Sequence, residues 1–218
     1  MKKSAGNTHL RRHRFDAAMA AASVYAGVDE VGRGCLAGPV VAAAVIPPTD
    51  VRDWTLVDDS KRLTERTRNE IADIIMRTAV GVGIGYADVR EIDELNILRA
   101  SQLAMGRALA SLSSQPEIVL VDGNYPAHTH LACLPIIAGD ARSLAIAAAS
   151  IVAKVNRDTY MKKIHEAFPE YGFDTHVGYG TKAHLEALAM YGPTVHHRMS
   201  FAPVRETQTR QVRLVLNG

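Results

Sequence analysis

Two short apolar segments that flank a glycine-rich turn constrain the fold of this chain most. They run from Val24 to Val28 and from Pro39 to Ile46, and the turn between them is Gly32-Arg33-Gly34. Apolar, β-branched runs bounded by glycine and proline are typical of strands. The sequence therefore predicts an antiparallel pair of strands in this region.

Two adjacent acids, Asp29 and Glu30, stand where the first of these segments meets the turn. Neighbours in a regular strand point to opposite faces, so both acids face one site only if the strand ends or bulges there. Adjacent carboxylates beside a backbone without side-chain bulk indicate a divalent cation next to a phosphate. A solvated acidic corner of a hairpin explains the same residues, and the pattern alone leaves both interpretations open.

A second candidate acid follows the apolar run from Glu117 to Val121, which has the composition of a buried strand. In open α/β sheets, ligands bind outside the carboxyl ends of such strands. Asp122 is thus placed to join Asp29 and Glu30 in one metal site. An aspartate that merely begins an Asp-Gly turn is the alternative.

Asp140 follows a further apolar run, Cys133 to Ala138, and precedes a predicted long helix from about Arg142 to Phe168. The alanines along this helix predict close packing against a neighbour. Asp140 is a candidate N-cap of the helix, a candidate fourth carboxylate, or both, because a cap position fixes the side chain.

Three further features are candidates for contacts with a polyanion. Lys61 stands just before a helix that Thr64 is predicted to cap, and Tyr179 lies between two glycines, which suits stacking on a base or sugar. The cluster His196-His197-Arg198 lacks the helical spacing of metal-binding histidines, so phosphate contact or plain surface is expected. A solvated lysine and a tyrosine that only anchors its loop are the simpler alternatives.

Composition places the chain among ordinary globular proteins. Its 218 residues suffice for one core, and 47% hydrophobic with 22% charged residues is typical of soluble domains. The longest weakly polar runs are too short to span a bilayer, and charges interrupt any signal-peptide core. Cys35 and Cys133 show no metal-binding or disulfide pattern, so free thiols and a cytoplasmic location are expected.

Charge is distributed unevenly along the chain, with net values of +4 for residues 1–24, −5 for 25–150 and +3 for 151–218. An acidic middle between basic segments suits a metal centre that acts on a polyanion. The expected organisation is a basic, flexible N-terminal tail or short helix over 1–22, a catalytic domain over 23–205, and a C-terminal tail over 206–218.

Seven motifs, in order along almost the whole domain from Tyr25 to Val204, resemble those of the ribonuclease HII family. They are Gly27-Val28-Asp29-Glu30-Val31-Gly32-Arg33-Gly34 with Leu36-Ala37-Gly38-Pro39, Asp59-Ser60-Lys61, Val121-Asp122-Gly123, Gly139-Asp140, Ala147-Ala148-Ala149-Ser150, Gly178-Tyr179-Gly180-Thr181, and His197-Arg198-Met199-Ser200-Phe201. The first is highly specific. The resemblance implies an RNase H-like α/β fold, with a mixed central sheet that begins with three antiparallel strands, flanking helices and a helical C-terminal part.

The resemblance also implies an active site of four acids, Asp29, Glu30, Asp122 and Asp140, that holds two Mg²⁺ or Mn²⁺ ions. Such a site hydrolyses the RNA strand of RNA/DNA hybrids and cuts 5′ of single ribonucleotides in duplex DNA. The products carry 3′-hydroxyl and 5′-phosphate ends, as needed to remove RNA primers and misplaced ribonucleotides. Nucleic acid is thus the implied partner, with no membrane, and a monomer is expected.

Selectivity in the family comes from contacts with the 2′-hydroxyl, which separates RNA from DNA. The matching positions are the backbone of Gly32, Arg33 and Gly34 together with Tyr179, while Lys61 and Arg198 match phosphate contacts. The sequence departs from many relatives at Cys35, which replaces proline, and at Arg142 and Ala145, which replace lysine and serine. These departures affect contacts with the substrate and remove none of the four acids.

Two alternatives remain at this point. One is an RNase H-fold nuclease of another specificity, such as a DNA resolvase; the other is a hybrid-binding module without catalysis.

Overall fold

The computed structural model describes residues 7–21, 23–57, 63–207 and 209. The chain divides into two compact units. The first, here called the sheet unit, comprises Met1–Val31, Val41–Tyr86 and Ser101–Val155. The second, the helical unit, comprises Gly32–Val40, Ala87–Ala100 and Asn156–Gly218.

A five-stranded sheet with the strand order β3-β2-β1-β4-β5 forms the centre of the fold. Its strands are β1 (Tyr25–Val31), β2 (Val40–Ile46), β3 (Gly81–Ala87), β4 (Ile118–Asp122) and β5 (Ala132–Ile136). β1 is antiparallel to β2 but parallel to β4, and β4 is parallel to β5. The predicted mixed sheet is therefore confirmed.

Helices accompany the sheet and make up most of the C-terminal part, also as predicted. They are α1 (Thr8–Met19), α2 (Glu65–Thr78), α3 (Val89–Leu95), α4 (Ile97–Ala110), α5 (Gly139–Arg142), α6 (Leu144–Ala167), α7 (Phe173–His176) and α8 (Lys182–Tyr191). The predicted cap of α2 is confirmed, since Thr64 accepts a hydrogen bond from the Thr67 N–H at 3.2 Å. Within the ranges described, no helix is both long and apolar enough to cross a bilayer.

The antiparallel pairing of β1 and β2 is regular through the two adjacent acids. Asp29 lies opposite Ala43 and Glu30 opposite Ala42, and the same register continues to Val31. The pairing therefore contains no bulge at these two acids. The strand ends one residue later, at Val31, so the two acids stand at its carboxyl end, where the charge of Glu30 acts on Asp29.

The parallel pairing of β1 and β4 aligns the ends of these two strands. Val28 is the partner of Val121. Asp29 directly follows Val28 on β1, and Asp122 directly follows Val121 on β4. Parallel strands end at the same edge of a sheet, which places the carboxylates of β1 and β4 together.

The core of the sheet unit depends on the start of α6, which lies directly against β1. A side chain at Gly27 would overlap the backbone of Ala145 and Ile146, so only glycine permits this approach. The buried alanines of α6 pack with Trp54, Ile71 and other apolar residues in one cluster. The predicted close packing of this helix is therefore confirmed.

One segment differs from the sequence prediction, and another takes one of the two forms expected of it. The helix predicted from about Arg142 is interrupted at Ser143, so Asp140 lies inside the one-turn helix α5 and is not the N-cap of α6. Residues 8–19, expected in a flexible tail or short helix, form α1, and three of its polar side chains, His9, Arg12 and Asp16, are buried. The predicted C-terminal tail falls mostly outside the residues that the structure describes.

Candidate active site

Asp29 is the most buried of the predicted site acids, with only 7% of its surface exposed. Its Oδ1 accepts a hydrogen bond of 2.7 Å from the Glu30 N–H, and the Ser150 side chain also hydrogen-bonds to it. Burial raises the pKa of Asp29 well above its ordinary value, and the negative charges of Glu30 and Asp122 raise it further. Ionising this carboxyl group is costly unless a cation lies nearby.

Asp122, the last residue of β4, is linked directly to the segment that carries Asp140. Its Oδ1 accepts a hydrogen bond of 2.7 Å from the backbone N–H of Gly139, the first residue of α5. Asp140 is the next residue and is half-buried. The segment that carries Asp140 is thus joined to the end of β4 by a hydrogen bond.

The donor set fits a hard divalent cation, because carboxylate oxygens are the ligands that Mg²⁺ and Mn²⁺ prefer. The repulsion that Glu30 and Asp122 exert on Asp29 is what a bound cation would relieve. In the described part of the chain, no three His, Cys, Asp or Glu side chains are grouped closely enough to hold a metal ion as they are placed.

The Gly32-Arg33-Gly34 turn belongs to the helical unit, where a buried arginine fixes its shape. The guanidinium of Arg198 donates to the carbonyl oxygens of Gly32 at 2.7 Å, Arg33 at 2.9 Å and Gly38 at 2.8 Å. Arg198 is fully buried, and burial lowers its pKa to about 10, which leaves it charged at neutral pH.

The expected contact between Arg198 and phosphate is therefore not what the structure shows. Its side chain has no exposed surface, and its donors are directed at backbone carbonyls. The physical reason is that the turn leaves several carbonyl groups inside the protein, where each needs a hydrogen-bond donor. Arg198 therefore positions the turn by binding its carbonyl groups in the interior of the protein.

Arg157 is a second buried arginine that supports the same region, and the sequence analysis missed it. It donates to the carbonyl oxygens of Pro39, Val177 and Ala37 at 3.0, 2.8 and 3.1 Å. Gly32 has φ +94°, and a side chain on it would overlap the Arg157 guanidinium. Glycine is required at position 32 for internal packing, whereas nothing lies within 4 Å of the side-chain position of Gly34.

Tyr179 lies beside the residue that follows this turn. It forms an isolated antiparallel bridge with Cys35, and the two side chains hydrogen-bond to each other. Burial, followed by the effect of Cys35, raises the pKa of Tyr179, so the phenol stays protonated near neutral pH. The side chain remains 42% exposed, which leaves surface available for stacking on a ligand.

A chain of two neutral histidines fixes the backbone of Tyr179. The Thr194 N–H lies 2.9 Å from His197 Nδ1, so that nitrogen accepts and Nε2 of His197 carries the proton. His197 Nε2 then donates to His184 Nε2 at 3.1 Å, and His184 Nδ1 donates to the Tyr179 carbonyl at 2.9 Å. Burial lowers the pKa of His197 to about 3 and also lowers the pKa of His184, so both rings are neutral at physiological pH.

The sequence indicated surface or phosphate contact for the His196-His197-Arg198 cluster, but His197 and Arg198 are buried. Lys61 lies outside the described residues, so its predicted phosphate contact stays a prediction. The structure therefore holds the predicted residues in two groups. The sheet unit holds the carboxylates, and the helical unit holds the turn with Tyr179.

Comparison with known proteins agrees with these features. A model of the ribonuclease HII family matches residues 26–204. The ribonuclease HII of Chlamydia muridarum (strain MoPn / Nigg) is 52% identical over 183 residues, which cover 84% of this chain and 83% of that protein.

Two solved structures resemble the fold. Ribonuclease H2 from Pyrococcus horikoshii OT3 has a TM-score of 0.72 at 25% identity, covering 85% of this chain and 97% of its own. The RNase HII of Archaeoglobus fulgidus, solved in a complex with PCNA, has a TM-score of 0.70 at 28% identity, covering 82% and 95%.

Proposed function

Because the chain belongs to the ribonuclease HII family and is a ribonuclease H, we propose that it is a metal-dependent endonuclease for RNA/DNA hybrids and for single ribonucleotides in duplex DNA. The observation that carries this proposal is the buried Asp29, whose pKa is raised by burial and by the adjoining carboxylates. Such a group suits a cation site better than a structural role.

Asp29, Glu30, Asp122 and Asp140 are the residues that would hold Mg²⁺ or Mn²⁺, with two ions during the reaction. Bound there, such ions would supply an activated water and would stabilise charge on the phosphate and on the leaving 3′ oxygen. The protein itself orients Asp29 through the Glu30 N–H and Ser150, and it orients Asp122 through the Gly139 N–H. No side-chain nucleophile is required, and the products have 3′-hydroxyl and 5′-phosphate ends.

The helical unit would supply selectivity for the 2′-hydroxyl. Gly34 is exposed with open space at its side-chain position, and Arg33 is exposed as well. The backbone of this turn can approach a sugar closely, and the arginines behind it hold it rigid. Tyr179 would stack on the ribose or base of the same nucleotide.

Three end-labelled duplexes test this function. They are all-DNA, DNA with one internal ribonucleotide, and an RNA/DNA hybrid, each incubated with Mg²⁺, Mn²⁺ or a chelator. We expect metal-dependent cleavage of the hybrid and of the single-ribonucleotide duplex, with the all-DNA duplex intact. Cleavage of all-DNA would instead indicate a resolvase-like nuclease, and binding without any cleavage would indicate a hybrid-binding module.

We propose the cytoplasm as the place of action and the monomer as the active form. The assay above uses the purified chain alone. Sedimentation of the same sample tests whether the active protein is a monomer.

A further inference from the structure

We propose that Arg12 and Asp16 of α1 are positioning residues for Asp140, because they hold the backbone on the C-terminal side of the one-turn helix α5. This inference rests on the proposed function, since it takes Asp140 as a metal ligand. All the groups concerned lie in the sheet unit. The family match begins at residue 26, so α1 lies entirely outside it.

The one-turn helix α5 depends on outside contacts for its position. It contains only four residues, Gly139–Arg142, and a helix of one turn is not stable by itself. On its N-terminal side, Asp122 accepts a hydrogen bond from the Gly139 N–H. The C-terminal side therefore needs a second support if the Asp140 carboxylate is to be held in place.

Arg12 provides the first part of this support. Its Nε donates at 3.0 Å to the carbonyl oxygen of Ala141, the residue that follows Asp140. Its Nη1 donates at 3.2 Å to the carbonyl oxygen of Val57. The buried guanidinium thus ties the backbone next to Asp140 to a separate segment of the sheet unit.

Asp16 provides the second part, one turn further along α1. Its Oδ2 accepts hydrogen bonds from the backbone N–H groups of Leu144 and Ala145, at 2.9 and 3.0 Å. These groups begin α6, where helix N–H groups have no partner within the helix. Asp16 therefore acts as a capping group supplied by another helix, directly after α5.

A third contact lies between these two. The guanidinium carbon of Arg142, the last residue of α5, lies 4.9 Å from the centroid of the Phe15 ring. Residues 141, 142, 144 and 145 are thus each contacted by a side chain of α1. Side chains of α1 thus support the connection from Asp140 to α6 along most of its length.

Burying the Asp16 carboxyl group costs free energy, which an acid in a solvent-exposed tail would not require. Its side chain has no exposed surface, and burial raises its pKa to about 6 despite the hydrogen bonds. Among the described residues, its Oδ1 has no hydrogen-bond partner. An acid retained in such surroundings points to a role in fixing the backbone that it binds.

The test compares Asp16→Ala, Asp16→Asn and Arg12→Gln in the full chain. Thr64→Ala is the matched control, because it removes the N-cap of α2, a helix that carries none of the four acids. Asp140→Asn is the reference for a lost ligand. Two quantities are measured for each variant: Mn²⁺ binding without nucleic acid, followed by electron paramagnetic resonance of the free ion, and the metal concentration for half-maximal cleavage.

We expect Asp16→Ala and Arg12→Gln to weaken Mn²⁺ binding and to raise the half-maximal metal concentration, roughly 10-fold or more, as for other residues that orient metal ligands. Asp16→Asn should keep both metal quantities close to those of the parent, because its amide oxygen still accepts from the two N–H groups. Thr64→Ala should lower thermal stability and leave both metal quantities unchanged.

Metal quantities like those of the parent in Asp16→Ala and Arg12→Gln, with only thermal stability lowered, would overturn the inference. If Asp16→Ala does not fold, Arg12→Gln decides on the same criterion. Failure of the proposed function has a different signature, in which Asp140→Asn itself keeps parental cleavage and Mn²⁺ binding.

Discussion

The Oδ1 of Asp122 accepts a hydrogen bond of 2.7 Å from the backbone N–H of Gly139. This bond joins the end of β4 to the residue just before Asp140. Asp122 therefore has two separable functions: its charge contributes to the proposed cation site, and its oxygen positions α5.

Replacing Asp122 separates these two functions. Asp122→Asn keeps an oxygen that can accept from Gly139 but removes the charge, so we expect cleavage of the hybrid to fall by about 10²-fold or more. Asp122→Ala removes the hydrogen bond as well and should also lower the free energy of unfolding by about 1–2 kcal/mol.

Single-turnover cleavage and thermal unfolding in parallel measure both effects. The control is Asp73→Asn, which removes an exposed acid from α2. Parental cleavage by Asp122→Asn would contradict a catalytic role for this carboxylate.

The raised pKa of Asp29 predicts how stability depends on pH when no metal is bound. A carboxyl group with a raised pKa binds more protons in the folded state than in the unfolded state, so its effect destabilises the fold as pH rises above the ordinary value of 3.8. Asp29→Asn removes this penalty. In a chelator, we expect the variant to melt at a higher temperature than the parent at pH 8, with the difference shrinking toward pH 4.

Thermal unfolding with EDTA across this pH range is the measurement, and added Mn²⁺ should reverse the ranking by stabilising the parent alone. A difference in melting temperature that stays constant with pH would show that Asp29 is not the titrating group.

The buried position of Arg198 predicts a structural phenotype for a conservative change. Arg198→Lys cannot reach the carbonyl groups of Gly32, Arg33 and Gly38 together, so buried acceptors lose their donor. We expect a loss of about 3–5 kcal/mol in the free energy of unfolding. Arg205→Lys, an exposed arginine in the same unit, should have little effect.

Chemical denaturation gives the stability, and the salt dependence of hybrid binding separates the two roles. A phosphate contact would instead leave stability intact and reduce the slope of binding affinity against salt concentration by about one.

The partial exposure of Tyr179 predicts an effect on cleavage rather than on folding. Tyr179→Ala removes a stacking surface worth about 1–3 kcal/mol, so kcat/KM on the single-ribonucleotide duplex should fall roughly 5- to 150-fold. Tyr191→Ala, at a tyrosine of the same unit that is 53% exposed, is the control and should keep parental cleavage. A large drop in melting temperature with unchanged cleavage would refute the role of Tyr179.

The sequence predicted the family, the sheet and the order of its elements because these follow from local patterns and specific motifs. Asp122 was found by a general rule, since ligands gather at the carboxyl ends of parallel strands and β4 ends at this residue. The sequence left open whether the strand ends or bulges at Asp29 and Glu30, because a glycine-rich turn permits a bulge without requiring one.

The roles of the buried arginines could not be predicted in this way. Arg198 binds the carbonyl of Gly38, 160 positions away in sequence. Every residue has a backbone carbonyl group, so the sequence does not indicate which of these groups needs a side-chain donor. Arg12 and Asp16 were missed for a related reason, since the inward face of α1 is polar and carries no apolar periodicity. One signal was available, because His9, Arg12 and Asp16 are spaced as one face of a helix.

The most direct test of the account is the chemistry of the ends produced from a duplex with one internal ribonucleotide. The phosphate on the 5′ side of that ribonucleotide is joined to a deoxyribose 3′ oxygen, so no 2′-hydroxyl can attack it and water must be the nucleophile. We predict a cut at this phosphate that leaves a DNA 3′-hydroxyl and a 5′-phosphate, lost with chelator and in Asp122→Asn. A cut on the 3′ side with a 2′,3′-cyclic phosphate, formed without metal, would contradict the carboxylate site.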